Sequence, residues 1–413
     1  MNAVESLISK TFIAAASLRT ATDLQVGNTL TMLATAIEEN ADNILSANKK
    51  DVVRQDADDP KTDRLRLTYA RIISIANSIK QVASLPDPTG KLLEKKTLYN
   101  ALLLEKITVP LGVVGAIYES RPNVTYDIAA LCLRSMNGCV LKGSSDAEYS
   151  NLEAIKIIKA TLAKNQIDPD CVTLLPAARE SVNDLLTATK WVDVIIPRGS
   201  ESLIKFVRTN SLVPVIETGA GVCHIYVEKD ADVEKAVNIV VNAKVTRPSV
   251  CNAVDTILVD EDVAASFLQK LFVPFKEHEV EIFADSTAFG LLSGYPYLQS
   301  ASVEDFGREF LSLKCAVKVV KNINEALDHI REFSTKHSEA IVSENLIHCE
   351  KFLKEVDAAV VYMNASTRFT DGEEFGLGAE IGISTQKLHA RGPFALEKLV
   401  TEKWIIRGTG QIR

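Results

Sequence analysis

Leu111-Gly-Val-Val-Gly-Ala-Ile-Tyr118 is an almost unbroken apolar run, and it restricts the fold more than any other stretch of the chain. A strand with one face in water alternates polar and apolar residues. A run without alternation predicts a strand covered on both faces, as in a parallel sheet. Beyond it the pattern alternates between element types. A helix is predicted over 124–136, a short strand over 139–142 and a second helix over 148–162. Further strands are predicted over 172–175, 192–196 and 213–216, with helical segments between them. Such alternation predicts an α/β fold with a doubly wound parallel sheet, whose ligands sit beyond the carboxyl ends of the strands. The second half alternates again, with strands over 222–227, 254–259, 316–320 and 358–363 and helices over 233–243, 263–272 and 323–333. It is expected to form a second α/β domain, joined to the first near Gly219-Ala-Gly221.

The first 86 residues follow a helical period. Leu30, Leu33, Ile37, Ala41 and Ile44 recur at three- and four-residue steps, as do Leu65, Tyr69, Ile72, Ala76 and Ile79, with Asp63 placed to cap the second helix. Pro86 and Pro88 close the block, and residues 98–108 are expected to form an extended hairpin arm. A chain of 413 residues, 46% hydrophobic and 24% charged, has material for two or three globular domains. A net charge of −8 argues against a nucleic-acid partner, and no run is long enough to cross a bilayer. Seven cysteines without framework spacing, and without a secretion signal, predict free thiols in a reducing, cytoplasmic setting. The short apolar stretch 11–18, preceded by Glu5, reads as the start of an amphipathic helix rather than as a targeting peptide.

Chemistry concentrates in Lys244-Val-Thr-Arg-Pro-Ser-Val-Cys-Asn-Ala-Val-Asp-Thr256. Cys251 lies on a loop entering a strand, with Lys244 and Arg247 just upstream, and nearby positive charge favours the thiolate. Taken alone, a cysteine is more often inert packing. Asn123, after the first strand, is either an oxyanion donor or the cap of the following helix. Lys142-Gly-Ser-Ser-Asp146, with Ser144 and Ser145, suits a phosphate or ribose, or is a capped helix start. Glu217 is a general base or a solvated carboxylate. His224 lies within an apolar strand, where core packing is the better reading. His389 and Arg391 hold an anionic substrate or form a solvated turn. Gly112 and Gly115 lack the spacing of a dinucleotide fingerprint and are assigned to close packing. No cysteine spacing forms a metal site, so no metal is expected.

Three long segments carry a resemblance: Val109-Pro-Leu-Gly-Val-Val-Gly-Ala-Ile-Tyr-Glu-Ser-Arg-Pro-Asn123, Arg247-Pro-Ser-Val-Cys-Asn-Ala253, and Val361-Tyr-Met-Asn-Ala-Ser-Thr-Arg-Phe-Thr-Asp371 continuing from Phe375 to Pro393. From about Val109 to Arg413 the sequence resembles the aldehyde dehydrogenase superfamily, most closely its gamma-glutamyl phosphate reductase family. The resemblance implies an aldehyde dehydrogenase-like α/β fold. An NADP-binding domain would cover 1–95 and 110–218, a catalytic domain 219–380, and a small oligomerisation arm 96–109 with 395–413.

It further implies Cys251 as nucleophile, Asn123 as oxyanion donor and Glu217 in the place of the superfamily's deacylation base. Lys142, Ser144 and Ser145 would face the adenosine ribose, Gly199 and Ser200 would open the helix beside the cofactor, and Glu309 would hold the nicotinamide ribose. Arg247, His389 and Arg391 are the candidates for gripping substrate. The implied reaction is reduction of L-glutamyl 5-phosphate by NADPH to L-glutamate 5-semialdehyde, a step of proline biosynthesis, by a homodimer or homotetramer that is functionally coupled to the upstream glutamate 5-kinase. An oxidising aldehyde dehydrogenase, a cysteine hydrolase or acyltransferase, and a non-catalytic relative are the alternatives. Asn123, Lys142 and Glu309 together argue against the last two.

Overall fold

A computed structural model describes residues 2–56 and 60–413. They form two compact units, one reaching to Thr218 with Gly376–Gly382 and Phe394–Arg413, the other Gly219–Phe375 with Ile383–Pro393.

The first unit is built on a four-stranded parallel sheet in the order Val172–Leu174, Gly138–Gly143, Val113–Tyr118, Val194–Arg198. Every residue of Val113–Tyr118 is buried, as its unbroken apolar sequence requires. The chain steps outward from this strand, then returns to its other side, so the strand order reverses between Val113–Tyr118 and Val194–Arg198. Gly112 leads into the first strand at φ +133°, and a Cβ there would sit 2.0 Å from the Asp193 carboxylate. That carboxylate accepts the Val113 N–H at 2.8 Å, so the glycine serves packing and the turn.

One expected strand shrinks. Residues 213–216 form only an isolated bridge, Val215 beside Ile195. Pro214 accepts from Ile195 N–H but has no N–H to give back, so no ladder grows.

The helical block comprises Ala3–Ala14, Asp23–Glu39, Ala41–Val52, Pro60–Leu65 and Tyr69–Ser84. Leu30, Leu33, Ile37, Ala41 and Ile44 are buried, as are Leu65, Ile72, Ala76 and Ile79, whereas Tyr69 is exposed. Asp63 does not cap the long helix. It falls inside Pro60–Leu65, and Thr68 caps Tyr69–Ser84 by accepting the Arg71 N–H. Leu92–Thr97, Leu103–Pro110 and Val400–Arg407 form an antiparallel sheet, with Val400 opposite Pro110 and Arg407 opposite Leu103. The arm and the tail therefore pair within one chain.

The second unit holds a seven-stranded parallel sheet. Its order is Leu298–Ser300, Glu281–Ala284, Lys314–Val320, Val254–Asp260, Cys223–Val227, Ser338–Val342, Val360–Met363. Side chains alternate between two cores. Ile225, Ile257, Val259 and Ala340 pack with Val240, Phe267 and Leu271 of the helices Val233–Val245 and Glu261–Glu277. Tyr226, Leu258 and Ile341 pack with Leu327, Ile330 and Phe352 of Ile323–Phe333 and Leu346–Glu355.

Sequence periodicity missed Ser338–Val342, which lies inside the sheet beside Cys223–Val227. Its first residues are polar and buried: Glu339 accepts the His224 backbone N–H at 2.9 Å and lies 3.0 Å from His224 Nδ1. His224 is thus a core residue with a polar partner. The glycine-rich stretch after Phe375 and the Arg391-Gly-Pro393 segment contribute the short strands Glu380–Ser384 and Gly392–Ala395.

Phe267 is fully buried between its helix and the sheet. Phe267→Ala should destabilise the second unit by about 3–5 kcal/mol, seen as a lower urea midpoint in its unfolding.

Candidate active site

In the first unit the candidate residues gather at the carboxyl ends of the parallel strands, where the strand order reverses. Pro122 occupies the first turn of the helix Pro122–Arg134 and Arg121 is its N-cap, so Asn123 is not the cap. Asn123 Nδ2 donates to Asp127 Oδ2 at 2.9 Å, one turn on. Burial pushes the Asp127 carboxyl up to about 6, against the pull of the Asn123 hydrogen bond and of Arg198. An amide carries two N–H donors, so this contact commits one of them.

Lys142 is buried, and its Nζ donates to the carbonyl oxygens of Gly143 at 2.9 Å and Ala177 at 3.1 Å. Burial lowers its pKa. Two of its three N–H donors are spent on backbone. The capping alternative for the serines finds no support in the geometry. Neither the turn Ser145–Ala147 nor the helix Glu148–Lys164 has a side-chain cap, and Ser144 Oγ instead accepts the Ser120 N–H. Ser145 is exposed.

Ser200 caps Glu201–Asn210, and its N–H and hydroxyl both donate to the Glu119 carboxylate, at 2.7 and 3.0 Å. A Cβ on Gly199 would lie 2.5 Å from the same carboxylate. Glu119, which no sequence pattern flagged, therefore sits at a helix N-terminus where an anion is favoured. Glu217 is half-buried and faces Arg208 at 3.4 Å.

The second unit departs from the carboxyl-end expectation. Cys251 precedes Val254–Asp260, Gly221 precedes Cys223–Val227, His337 precedes Ser338–Val342, and Glu309 lies shortly before Lys314–Val320. Because the strands are parallel, these four residues collect at the amino ends of the sheet. Cys251 is the only cysteine of the seven that is not buried. A Cβ on Gly221 would lie 2.0 Å from the Cys251 carbonyl oxygen, so only glycine lets the two backbones approach this closely. Glu309 accepts the Gly221 N–H at 2.9 Å, so it is tied to the glycine that abuts the Cys251 carbonyl. Cys223 Sγ–H donates to the Cys251 carbonyl at 3.2 Å and lies 3.7 Å from His337 Nδ1. Burial holds the His337 imidazole down at about 4.

Lys244 does not serve the thiol as expected from its place upstream. It is buried, and its charge is met by Asp255 at 3.3 Å. Arg391 pairs with Asp357 at 2.8 Å, and Lys387 and Lys336 converge on the same carboxylate. The Lys387 and Arg391 hydrogen bonds hold Asp357 far below the ordinary carboxylate range. His389 is exposed at φ +61° in the same segment.

Among the described residues one group offers three possible metal ligands, Glu228, Asp230 and His348. Glu228 is already satisfied by His348 at 2.8 Å, by Ser343 Oγ at 2.6 Å and by the Asp230 N–H. Among the described residues no helix is long and apolar enough to cross a membrane.

Comparison with known proteins adds the following. The aldehyde dehydrogenase family model matches residues 3–292. The gamma-glutamyl phosphate reductase of Chlorobium phaeobacteroides is 53% identical over 403 residues, covering 97% of this chain and 96% of that protein. That of Legionella pneumophila is 52% identical over 387 residues, 93% of each chain. The crystal structure of the Thermotoga maritima gamma-glutamyl phosphate reductase superposes with a TM-score of 0.96 at 39% identity over all of both chains.

Thiol chemistry should follow exposure. Burial pushes Cys171 and Cys315 up to about 12 and Cys223 well above its ordinary value. Iodoacetamide at neutral pH should therefore alkylate Cys251 before any other cysteine. Peptide mapping of a half-labelled sample checks this, and prior labelling of any buried thiol would contradict it.

Proposed function

The chain belongs to the aldehyde dehydrogenase family and, within it, to the gamma-glutamyl phosphate reductases, and from that premise we propose that it reduces L-glutamyl 5-phosphate with NADPH to L-glutamate 5-semialdehyde and phosphate. It is an oxidoreductase, and the step belongs to proline biosynthesis. The observation that carries the reading is the single half-exposed thiol, Cys251, held on a loop against Gly221 and Glu309.

The Cys251 thiolate attacks the acyl carbon. A C–S bond forms, the bond to the phosphate oxygen breaks, and phosphate leaves with the electron pair. Asn123 directs its second amide N–H at the oxyanion while Asp127 holds the first. In the first unit the third N–H of Lys142 and the exposed hydroxyl of Ser145 face the adenosine ribose, with Gly199 and Ser200 opening the neighbouring helix. Glu309 takes the nicotinamide ribose. When bound, the dinucleotide supplies the hydride that brings the acyl group on Cys251 to the aldehyde level. Release of the aldehyde returns the sulfur to thiolate. No water enters, so Glu217 has no acyl-enzyme to hydrolyse. The arm 96–109 and the tail 395–413 are the surfaces for assembly into a homo-oligomer.

The direct test is the reverse assay, semialdehyde with phosphate and NADP. Phosphate-dependent formation of NADPH is expected, and Cys251→Ala should abolish it while cofactor affinity stays near wild type. Asn123→Ala should lower kcat/KM by about 100- to 1000-fold, and Glu217→Gln should lower it less. A glutamine variant more crippled than the alanine variant would contradict the assignment of Glu217.

Cofactor preference rests on Ser145. A carboxylate there would accept hydrogen bonds from ribose hydroxyls and repel a 2′-phosphate, whereas serine is neutral and can donate. Ser145→Glu should shift the NADPH-to-NADH ratio of specificity constants toward NADH by about 2–4 kcal/mol. An unchanged ratio would remove the basis for the NADPH assignment.

A further inference from the structure

Arg368 lies in the segment that clamps the nucleophile's loop. Four hydrogen bonds tie that segment to Asn252, the residue after Cys251. Asn252 Nδ2 donates to the carbonyl oxygens of Arg368 at 3.2 Å and Thr370 at 2.9 Å, Thr367 Oγ1 donates to the Asn252 carbonyl at 2.7 Å, and Arg368 Nη1 donates to Asn252 Oδ1. The guanidinium is thus held on the side chain of Asn252, and the backbone on either side of it is tied to the same residue. Its Nε is buried and has no hydrogen-bond partner.

Arg247, four positions before Cys251, is exposed and makes no hydrogen bond or ion pair among the described residues. Burial and the like charge of Arg247 lower the Arg368 pKa, against the pull of Asp371, Cys251 and Glu374. Arg368 bonds Asn252 through Nη1 but keeps a buried Nε without an acceptor, and both Arg247 and Cys251 are close enough to act on its charge, so the pair of guanidinium groups can take a further acceptor. A tetrahedral dianion supplies it, because planar guanidinium forks match phosphate oxygens two at a time.

We propose that Arg368, with Arg247 beside it, seats the phosphoryl group of the acyl phosphate and carries the charge that develops on the departing phosphate. The proposal rests on Cys251 being the nucleophile. As the C–S bond forms and the C–O bond breaks, the electron pair passes to the phosphate oxygen, and the two guanidinium groups neutralise it without proton transfer. The same pair binds inorganic phosphate in the reverse direction.

The test compares two leaving groups. Wild type, Arg368→Lys, Arg368→Gln and Arg247→Gln are assayed in reverse for the KM of inorganic phosphate. They are also assayed for acylation of Cys251 by a neutral aryl ester, at a pH above the thiol's titration. Arg368→Gln should raise the phosphate KM by about 10- to 100-fold, with at least ten times less loss against the ester. Arg368→Lys should fall between, and Arg247→Gln should raise the phosphate KM while leaving the Asn252 clamp untouched. An unchanged phosphate KM in these variants overturns the proposal. So does equal loss against both substrates, which would make Arg368 a positioning residue for the loop. Should Arg368→Gln not fold, the lysine and Arg247 variants decide the matter. Turnover by Cys251→Ala would instead sink the premise, separately from the Arg368 assignment.

Discussion

Each parallel sheet in this chain is covered by helices or apolar packing on both faces, and that fixes where chemistry can occur. In the second unit, side chains of one strand alternate between two dry cores, Ile225 and Val227 on one side and Tyr226 on the other. A polar side chain within the sheet loses water and is kept only where it finds a buried partner, as Glu339 does in His224. The candidate residues lie at the strand ends. In the first unit Lys142, Ser144, Ser145, Asn123 and Ser200 lie at the carboxyl ends, around the reversal of strand order. In the second, Cys251, Gly221, His337 and Glu309 lie at the amino ends. Its own reversal, between Cys223–Val227 and Ser338–Val342, is occupied at the carboxyl end by Glu228, to which Ser343 and His348 both bond.

At Cys251, backbone geometry does most of the positioning. The Cys251 carbonyl touches Gly221 and accepts from Cys223, while Asn252 is held by Thr367, Arg368 and Thr370. The thiol therefore sits on a loop braced from two sides by segments far away in sequence. Such bracing lowers the entropy lost when the thiol meets its substrate. The other six cysteines are buried, where burial disfavours a thiolate.

Much of this was legible from sequence, for reasons that can be named. Val113–Tyr118 and Val254–Asp260 are apolar throughout, and Ile323–Phe333 carries a strong helical period, so local pattern and burial agree. Ser338–Val342 escaped because its burial is polar: Glu339 survives in the core by bonding His224 on the next strand, a partner 115 residues away. Residues 213–216 looked like a strand because they are apolar, and Pro214 limited them to a bridge. Lys244 looked like the thiol's cation because it is near in sequence, but its amine is buried against Asp255. Arg368 passed unremarked within a segment valued for likeness alone, since its relation to Cys251 runs through Asn252 in space.

The family, the α/β fold and most of its strands and helices could be read from the sequence alone. These depend on periodicity, on apolar runs and on uninterrupted motifs, all local along the chain. Three-dimensional packing was needed to show at which strand ends the candidate residues lie, that Asn123 answers to Asp127 rather than capping its helix, and that the Ser144 and Ser145 side chains are not caps. The same holds for the cation that bonds the residue after Cys251, which is Arg368 and not Lys244. Hydrogen bonds and Coulombic interactions act over a few ångströms of space whatever the separation along the chain, and strand order, which sets those distances, is written in no single stretch of residues.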